Sequence, residues 1–328
     1  MSRGDFVTID STLFFKWYDR ARHQAIATDV PVLELDWLVL HLSTLDRLAL
    51  RLRSTASPTI AARVSLEQLD QYWQQRCQDR VPVQYLAGRT TWRSFELCVT
   101  PDVLIPRPET EAIVDLAIEA VADRCDDSSR PLGSPIPQSP HLKSSNLDGH
   151  WVDLGTGSGA IAIGLAQELA VRAANATIHA SDTSAAALAI ARQNAAACGV
   201  ADRIRFYQGS WFEPFRGSGL KFRAIVSNPP YIPAATVDQL APEVRDREPR
   251  LALDGGEMGL DCLSVLLTEA PEWLETDGVF LVEHEARQGA VMRDQLHDHG
   301  YRNVRTVRDL AGLDRFAIAL APARTNNN

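Results

Sequence analysis

From about residue 149 to residue 231 the chain alternates short apolar runs with longer helical ones: HWVDLG, IAIGLAQELAV, ATIHASD, AAALAIARQNAAA, RIRFYQGS and FRAIVSNPP. Runs as apolar as these do not suit a sheet with one wet face, and regular strand–helix alternation lays successive strands side by side in parallel. The segment predicts a parallel sheet covered by helices on both faces, an α/β fold. GVFLVEHE, a helix from about Gly289 to His299, and the strands VRTVRDL and DRFAIALA carry the same domain to its end.

What precedes it has another rhythm. Phe14, Phe15, Tyr18, Ala21 and Ala25 recur at helical spacing, Leu33, Trp37 and Leu40 do so again after Pro31, and Ser65 with Gln68 opens a third helix through an S-x-x-Q capping box. Residues 1–80 are therefore expected to form a small helical bundle. Over 81–105 the period shortens: Phe95, Leu97 and Val99 alternate between turn-formers at Gly88 and Pro101-Asp102, which predicts a β-hairpin linker. In IPRPETEAIVDLAIEAVADR, Pro108 and the acidic residues after it mark a helix start, with Ile113, Leu116, Ala117 and Ala120 as the buried stripe. Residues 125–149 are rich in Ser, Pro and Gly with few large apolar groups, so a mobile surface insertion is expected there within a catalytic domain spanning 106–323. A disordered tail is expected at 324–328.

Composition narrows the partners. A net charge of -9 and a pI near 5.4 leave no broad cationic face of the kind nucleic-acid binders carry, and residues 1–75 hold eight Lys/Arg against nine Asp/Glu. A protein or small-molecule substrate is expected rather than direct nucleic-acid binding. No stretch of 18 apolar residues occurs and the N-terminus lacks a basic region followed by an apolar run, so a cytoplasmic protein without a membrane span is expected. Five scattered cysteines without a CxxC pair give neither a disulfide framework nor a zinc site. His284, His297 and His299 lack the partners that would complete a metal set, so no metal is expected.

The chemistry gathers at strand ends. WVDL runs into Gly155-Thr156-Gly157-Ser158-Gly159 and then a helix, where backbone can approach a nucleotide-like ligand closely. Spacing alone is ambiguous, because Gly155, Gly157 and Ala160 also satisfy a dinucleotide fingerprint. Asp153 decides against a pyrophosphate, which it would repel, and for an ammonium such as that of S-adenosylmethionine. Asp182, closing HASD, suits two ribose hydroxyls. Trp211, after Gly209-Ser210, either flanks an adenine or joins Phe212 as a core aromatic.

The fourth strand ends in Asn228-Pro229-Pro230-Tyr231. Two prolines cannot continue a ladder and leave the Pro229 carbonyl exposed beside the Asn228 side-chain oxygen. Two acceptors facing one site can each take an N–H of a planar NH₂ group and aim its π lone pair at a methyl donor, while Tyr231 stacks on the flat group. The residues by themselves admit a protein amide or the amino group of adenine N6 or cytosine N4.

VQYLAG at 83–88, LIPRPETE at 104–111, VDLGTGSGAIAI at 152–163, VSNPPYI at 226–232, LALDGGEMGLD at 251–261, VEHEARQGA at 282–290 and DLAGLDR at 309–315 occur together and in this order. In them the chain resembles, over nearly its whole length, the bacterial protein-(glutamine-N5) methyltransferases that modify class 1 peptide-chain release factors. The resemblance implies a Rossmann-like seven-stranded methyltransferase domain behind the helical bundle and hairpin linker. It further implies S-adenosyl-L-methionine as methyl donor, with S-adenosyl-L-homocysteine as product, held by Gly155 to Gly159, Asp182, Trp211 and Asn228. Asn228, Pro229, Pro230 and Tyr231 would hold the glutamine of a Gly-Gly-Gln loop, and the bundle would help dock the release factor. Two departures stand out: the long 125–149 segment, and Arg247 before Glu248-Pro249, where the family leads one to expect an aromatic residue.

Overall fold

The computed structural model describes residues 6–53, 55–123, 147–173, 175–309 and 311–323. Residues 125–146 of the expected insertion and the expected tail at 324–328 lie outside the described residues, and Gly149 opens a strand. The chain divides into two compact units: 1–90, 99–101 and 240–248 form the first, and 91–98, 102–239 and 249–328 the second.

The first unit runs β1 (Val7–Asp10), α1 (Ser11–Ala27), α2 (Val32–Leu42), α3 (Arg47–Leu52), β2 (Thr59–Ala62), α4 (Leu66–Asp79) and α5 (Val83–Ala87). Side-chain caps start two of the long helices: Asp10 accepts from Leu13 N–H at 2.9 Å and Ser65 from Gln68 N–H at 3.1 Å. Phe14, Tyr18, Ala21 and Ala25 of α1 are buried against Leu35, Leu38 and Val39 of α2 and Leu69, Trp73 and Cys77 of α4. The Trp73 indole N–H satisfies the Ala21 carbonyl at 3.0 Å. Three details depart from the sequence-based expectation. The buried face of α2 is Leu35, Leu38, Val39 and Leu42, with Leu33 77% exposed, because VLELDWLVLHL is apolar on nearly every side and its periodicity does not single out one face. Antiparallel pairing of β1 with β2 joins segments some fifty residues apart, each too short to show alternation. Residues 83–87, expected within the hairpin linker, form a helix ended by Gly88 at φ +67°.

Strands β3 (Arg89–Trp92) and β4 (Phe95–Cys98) make the hairpin sheet. A 3₁₀ turn at Pro108–Glu111 then leads into α6 (Ala112–Ala122), in which Ile113, Ala117 and Ala120 are buried.

The second unit continues with β5 (Gly149–Leu154), α7 (Ala160–Ala170), β6 (Ala176–Asp182), α8 (Ala185–Ala197), β7 (Ile204–Gln208), β8 (Phe222–Ser227) and α9 (Ala234–Val237). After α10 (Pro242–Arg245), which belongs to the first unit, come α11 (Asp261–Trp273), β9 (Leu274–Glu283), α12 (Gly289–Asp298), β10 (Arg302–Arg308) and β11 (Asp314–Leu320). The seven-stranded sheet has the order β10-β11-β9-β8-β5-β6-β7, parallel from β9 to β7 and antiparallel where β11 joins β9 and β10. Alternate residues feed opposite cores: Trp151, Val226 and Leu281 pack with α6 and α7, while Val152, Ile225, Phe280 and Val282 pack with α11 and α12. This two-sided burial is why the strands are apolar without interruption. Strand order reverses between β5 and β8, and in open sheets the crevice outside the carboxyl ends at such a reversal is where ligands bind.

Candidate active site

At the carboxyl end of β5 the chain makes a tight turn with Gly155 at φ +74°, Gly157 at +54° and Gly159 at +84°. A Cβ on Gly159 would stand 3.1 Å from that of Ala191, so glycine lets the start of α7 pack on α8. Asp153 lies wholly beneath this turn. Its Oδ2 accepts from the Thr156 hydroxyl at 2.6 Å and from the Ala162 N–H, one of the N-terminal donors of α7, at 3.1 Å. Its Oδ1 is buried without a protein partner. Burial pushes the Asp153 carboxyl up to about 7, against the lowering effect of those two hydrogen bonds.

Asp182 ends β6 with each carboxylate oxygen holding one main-chain N–H, Gly157 on Oδ2 and Ser184 on Oδ1, both at 2.9 Å. Each oxygen retains a lone-pair direction, and the side chain is only partly buried. Asn194 steadies the turn from below: its Nδ2 donates to the Ser158 carbonyl at 2.9 Å, while its amide exchanges two bonds with the Cys98 backbone.

Trp211 occupies the left-handed region at φ +43°, strained for a tryptophan, and its carbonyl accepts from the Ser181 hydroxyl at 3.2 Å. Its indole comes down over Gly155, where a Cβ would lie 3.4 Å from Cζ3. Phe212 points the other way into the core and stacks on Trp273 at 5.7 Å with 4° between the planes. Phe212 is thus a core aromatic, while Trp211 is partly buried against the same core with its ring over the turn.

Next to β5, Ser227 closes β8 by donating to the Leu154 carbonyl at 2.6 Å, which joins the two strand ends. Asn228 follows, partly exposed, and its Nδ2 donates to Thr110 Oγ1 at 3.2 Å. Thr110 donates in turn to Glu283 Oε2 at 2.7 Å, and the Tyr231 hydroxyl donates to Glu283 Oε1 at 3.0 Å. Glu283, at the end of β9, is buried; burial pushes its carboxyl up, while Thr110, Tyr231 and the nearby Arg315 guanidinium favour the ionised form. Burial and the Glu283 charge together push the Tyr231 phenol well above its ordinary range. The backbone of the tetrapeptide is gripped from behind. Gln288 donates to the Tyr231 and Gly259 carbonyls, both at 3.0 Å, and a Cβ on Gly255 would sit 2.8 Å from the Pro230 carbonyl oxygen.

Thr110, Glu283, Gln288 and Asn194 were not singled out from the sequence. Glu283 had a usable signal there, since it ends an apolar parallel strand in the same way as Asp182 and Asn228. His284 is buried, whereas His297 and His299 are exposed, and among the described residues no three His, Cys, Asp or Glu side chains converge as a metal site requires. Arg247 lies in the first unit, where its Nε donates to the Asp79 carbonyl at 2.9 Å and so completes the end of α4 as a cation suits.

The donor set fits a nucleoside that carries an ammonium. A partnerless buried carboxylate oxygen lies under the turn, a second carboxylate has free lone pairs, and a Cβ on Gly157 would meet nothing within 4 Å. Fold and site define an α/β methyltransferase that uses S-adenosylmethionine. The family model described as "Methyltransferase small domain" matches residues 121–260. The release factor glutamine methyltransferase of Synechocystis sp. is 43% identical over 309 residues, spanning 93% of this chain and 95% of that protein. Its namesake from Thermosynechococcus vestitus is 43% identical over 81% of the chain and 83% of that protein, and the one from Gloeobacter violaceus 38% over 94% and 97%. The chain belongs to the release factor glutamine methyltransferase family.

Proposed function

We propose that this protein transfers the methyl group of S-adenosylmethionine to the side-chain nitrogen N5 of the glutamine in the Gly-Gly-Gln motif of class 1 release factors, in the cytoplasm, and so modulates translation termination. The observation that carries the reading is the engagement of Asn228 Nδ2 by Thr110, which leaves Oδ1 as the end of this partly exposed amide that can accept from a substrate, with the carbonyl of the buried Pro229 next in the chain. Two acceptors at the crevice suit an NH₂ group, and their names make the relatives protein methyltransferases rather than nucleic-acid ones.

The bound cofactor supplies an electrophilic methyl group on a sulfonium. Asp182 is suited to the ribose hydroxyls, the turn Gly155 to Gly159 to close backbone approach, Trp211 to the face of the adenine, and the partnerless Asp153 oxygen to the ammonium. An amide nitrogen is a poor nucleophile because its lone pair is delocalised. Asn228 Oδ1 and Pro229 O therefore act by orientation and by favouring the positive charge that grows on nitrogen, while the Tyr231 ring, tethered at its hydroxyl, holds the flat group. The helical bundle of the first unit serves as the docking surface for the release factor.

The test is incubation of the protein with labelled S-adenosylmethionine and either a release factor or duplex DNA, with the label located by mass spectrometry. Label on the loop glutamine is expected; label on DNA alone would overturn the reading.

A further inference from the structure

We infer that Thr110 and Glu283 are positioning residues that fix which end of the Asn228 amide faces the substrate, and so set the preference for glutamine over glutamate. The inference rests on the proposed substrate and deepens it. An amide has an accepting and a donating end of nearly the same shape, so Asn228 alone presents either one. The chain of hydrogen bonds behind it removes the choice. Glu283 is acceptor-only when ionised, and its two oxygens meet two hydroxyls, those of Thr110 at 2.7 Å and Tyr231 at 3.0 Å. The nearby Arg315 guanidinium, paired to Asp309 at 3.2 Å, favours the ionised form of that carboxylate against the upward push of burial. Having given its only proton to Glu283, Thr110 meets Asn228 with lone pairs and takes the NH₂ end at 3.2 Å. Both relay residues are buried, so water does not scramble the direction.

The consequence reaches the substrate. With Oδ1 outward, the site offers two acceptors and suits the NH₂ of a glutamine side chain; a glutamate, isosteric with it, brings only oxygen lone pairs and is rejected. Turned over, Asn228 would present a donor and tolerate the carboxylate. Glu283→Gln supplies that reversal: Tyr231, pressed by the donor Arg315, keeps the new carbonyl, which leaves the new NH₂ to donate to Thr110. Thr110 would then donate to Asn228.

The experiment uses the full chain and a class 1 release factor, with a second release factor in which the loop glutamine is glutamate as a competing inhibitor. Thr110→Val should lower kcat about tenfold while the dissociation constant for S-adenosylmethionine stays within twofold, and Thr110→Ser should restore kcat to within about threefold of the unaltered protein. Glu283→Gln should lower kcat at least as much and bind the glutamate-bearing release factor several-fold more tightly than the unaltered protein does. Adding Thr110→Val to Glu283→Gln should abolish that tighter binding. A Thr110→Val protein with kcat within twofold of normal overturns the inference. So does one that loses cofactor binding together with turnover, which would make Thr110 a scaffold residue, and so does a Glu283→Gln protein with unchanged preference. An unaltered protein that leaves release-factor glutamine unmethylated refutes the proposed function itself, a separate result from any of these.

Discussion

Gln288 Nε2 lies 3.0 Å from the main-chain oxygen of Tyr231, so a residue 57 positions away holds the backbone of the tetrapeptide in place. The same amide nitrogen reaches the Gly259 carbonyl at 3.0 Å, and its Oε1 accepts the Glu285 N–H at 3.0 Å. Tyr231, the turn at Gly255–Gly259 and the start of the last helical segment thus meet on one buried side chain.

Gly259→Ala tests the grip. A Cβ there would come within 2.2 Å of the Tyr231 oxygen, and φ is +72°. The substitution should cost about 2–4 kcal/mol of stability, from left-handed strain and overpacking together. Gly199→Ala is the control: its φ is +73° with nothing within 4 Å, so only the strain of about 1 kcal/mol remains. Urea denaturation of both proteins checks the difference, and equal losses would contradict the clash.

Asn228→Ala should leave cofactor affinity nearly intact and reduce turnover by about a hundredfold, as expected when an acceptor that acts in the transition state is lost. Single-turnover methylation beside equilibrium cofactor binding separates the two effects. Undiminished turnover would remove Asn228 from the chemistry.

Asp182→Ala should weaken cofactor binding by about 1–3 kcal/mol through lost hydrogen bonds. Part of that loss is indirect, because the Gly157 N–H would lose the oxygen that holds it at 2.9 Å. Gly157→Ala should cost about as much stability as Gly199→Ala, since neither new methyl meets protein, yet only the Gly157 change should reduce cofactor affinity. Calorimetric binding to the three proteins distinguishes a lining position from a mere turn.

Cofactor binding should also carry a pH signature. Burial raises the Asp153 carboxyl to about 7 from an ordinary 3.8, so the free protein holds a proton there at pH 6. An ammonium favours the ionised form, and binding at pH 6 should release up to one proton. Affinity should therefore rise with pH up to about 7 and then level off. The stability term has the opposite sign. This group's contribution to the cofactor-free fold is fully present below pH 3.8, where both forms are protonated, and is lost as pH rises to about 7, where the folded form ionises as the unfolded one already has. Calorimetry at pH 6 in two buffers of different ionisation heat should detect the proton, and Asp153→Asn should abolish it. Heats independent of buffer would remove the ammonium from Asp153.

Local patterns carried much of the fold. Ser65 before an apolar face predicted α4, and of the stripe Ile113, Leu116, Ala117 and Ala120 expected on α6 all are buried but Leu116, which is half-buried at the edge of the core. Patterns failed where local chemistry was mute: on α2, apolar nearly all round, and on β1 and β2, which find each other only across fifty residues. The site divides in the same way. Asp153, Asp182 and Asn228 were legible because each ends an apolar strand beside a turn. Thr110 was not, because its partner Glu283 lies 173 residues away and nothing in the neighbourhood of Thr110 points to it. The motifs that contain them were visible as strings, yet their chemistry exists only once the strands are laid in order.

Within the first unit, the buried Arg76 guanidinium of α4 bonds Glu34 of α2 at 2.8 Å and Glu243 of α10 at 3.0 Å. Glu243 reaches that unit only after the chain has traversed most of the methyltransferase sheet. The N-terminal part is therefore not a detachable module. During synthesis it waits, with one ion-pair partner missing, until residue 243 has been made, and a gene fragment ending at residue 90 would encode it without its last piece. Exchange of this part between relatives would have to carry residues 240–248 along with it to keep the Arg76–Glu243 pair, although some 150 codons separate the two stretches.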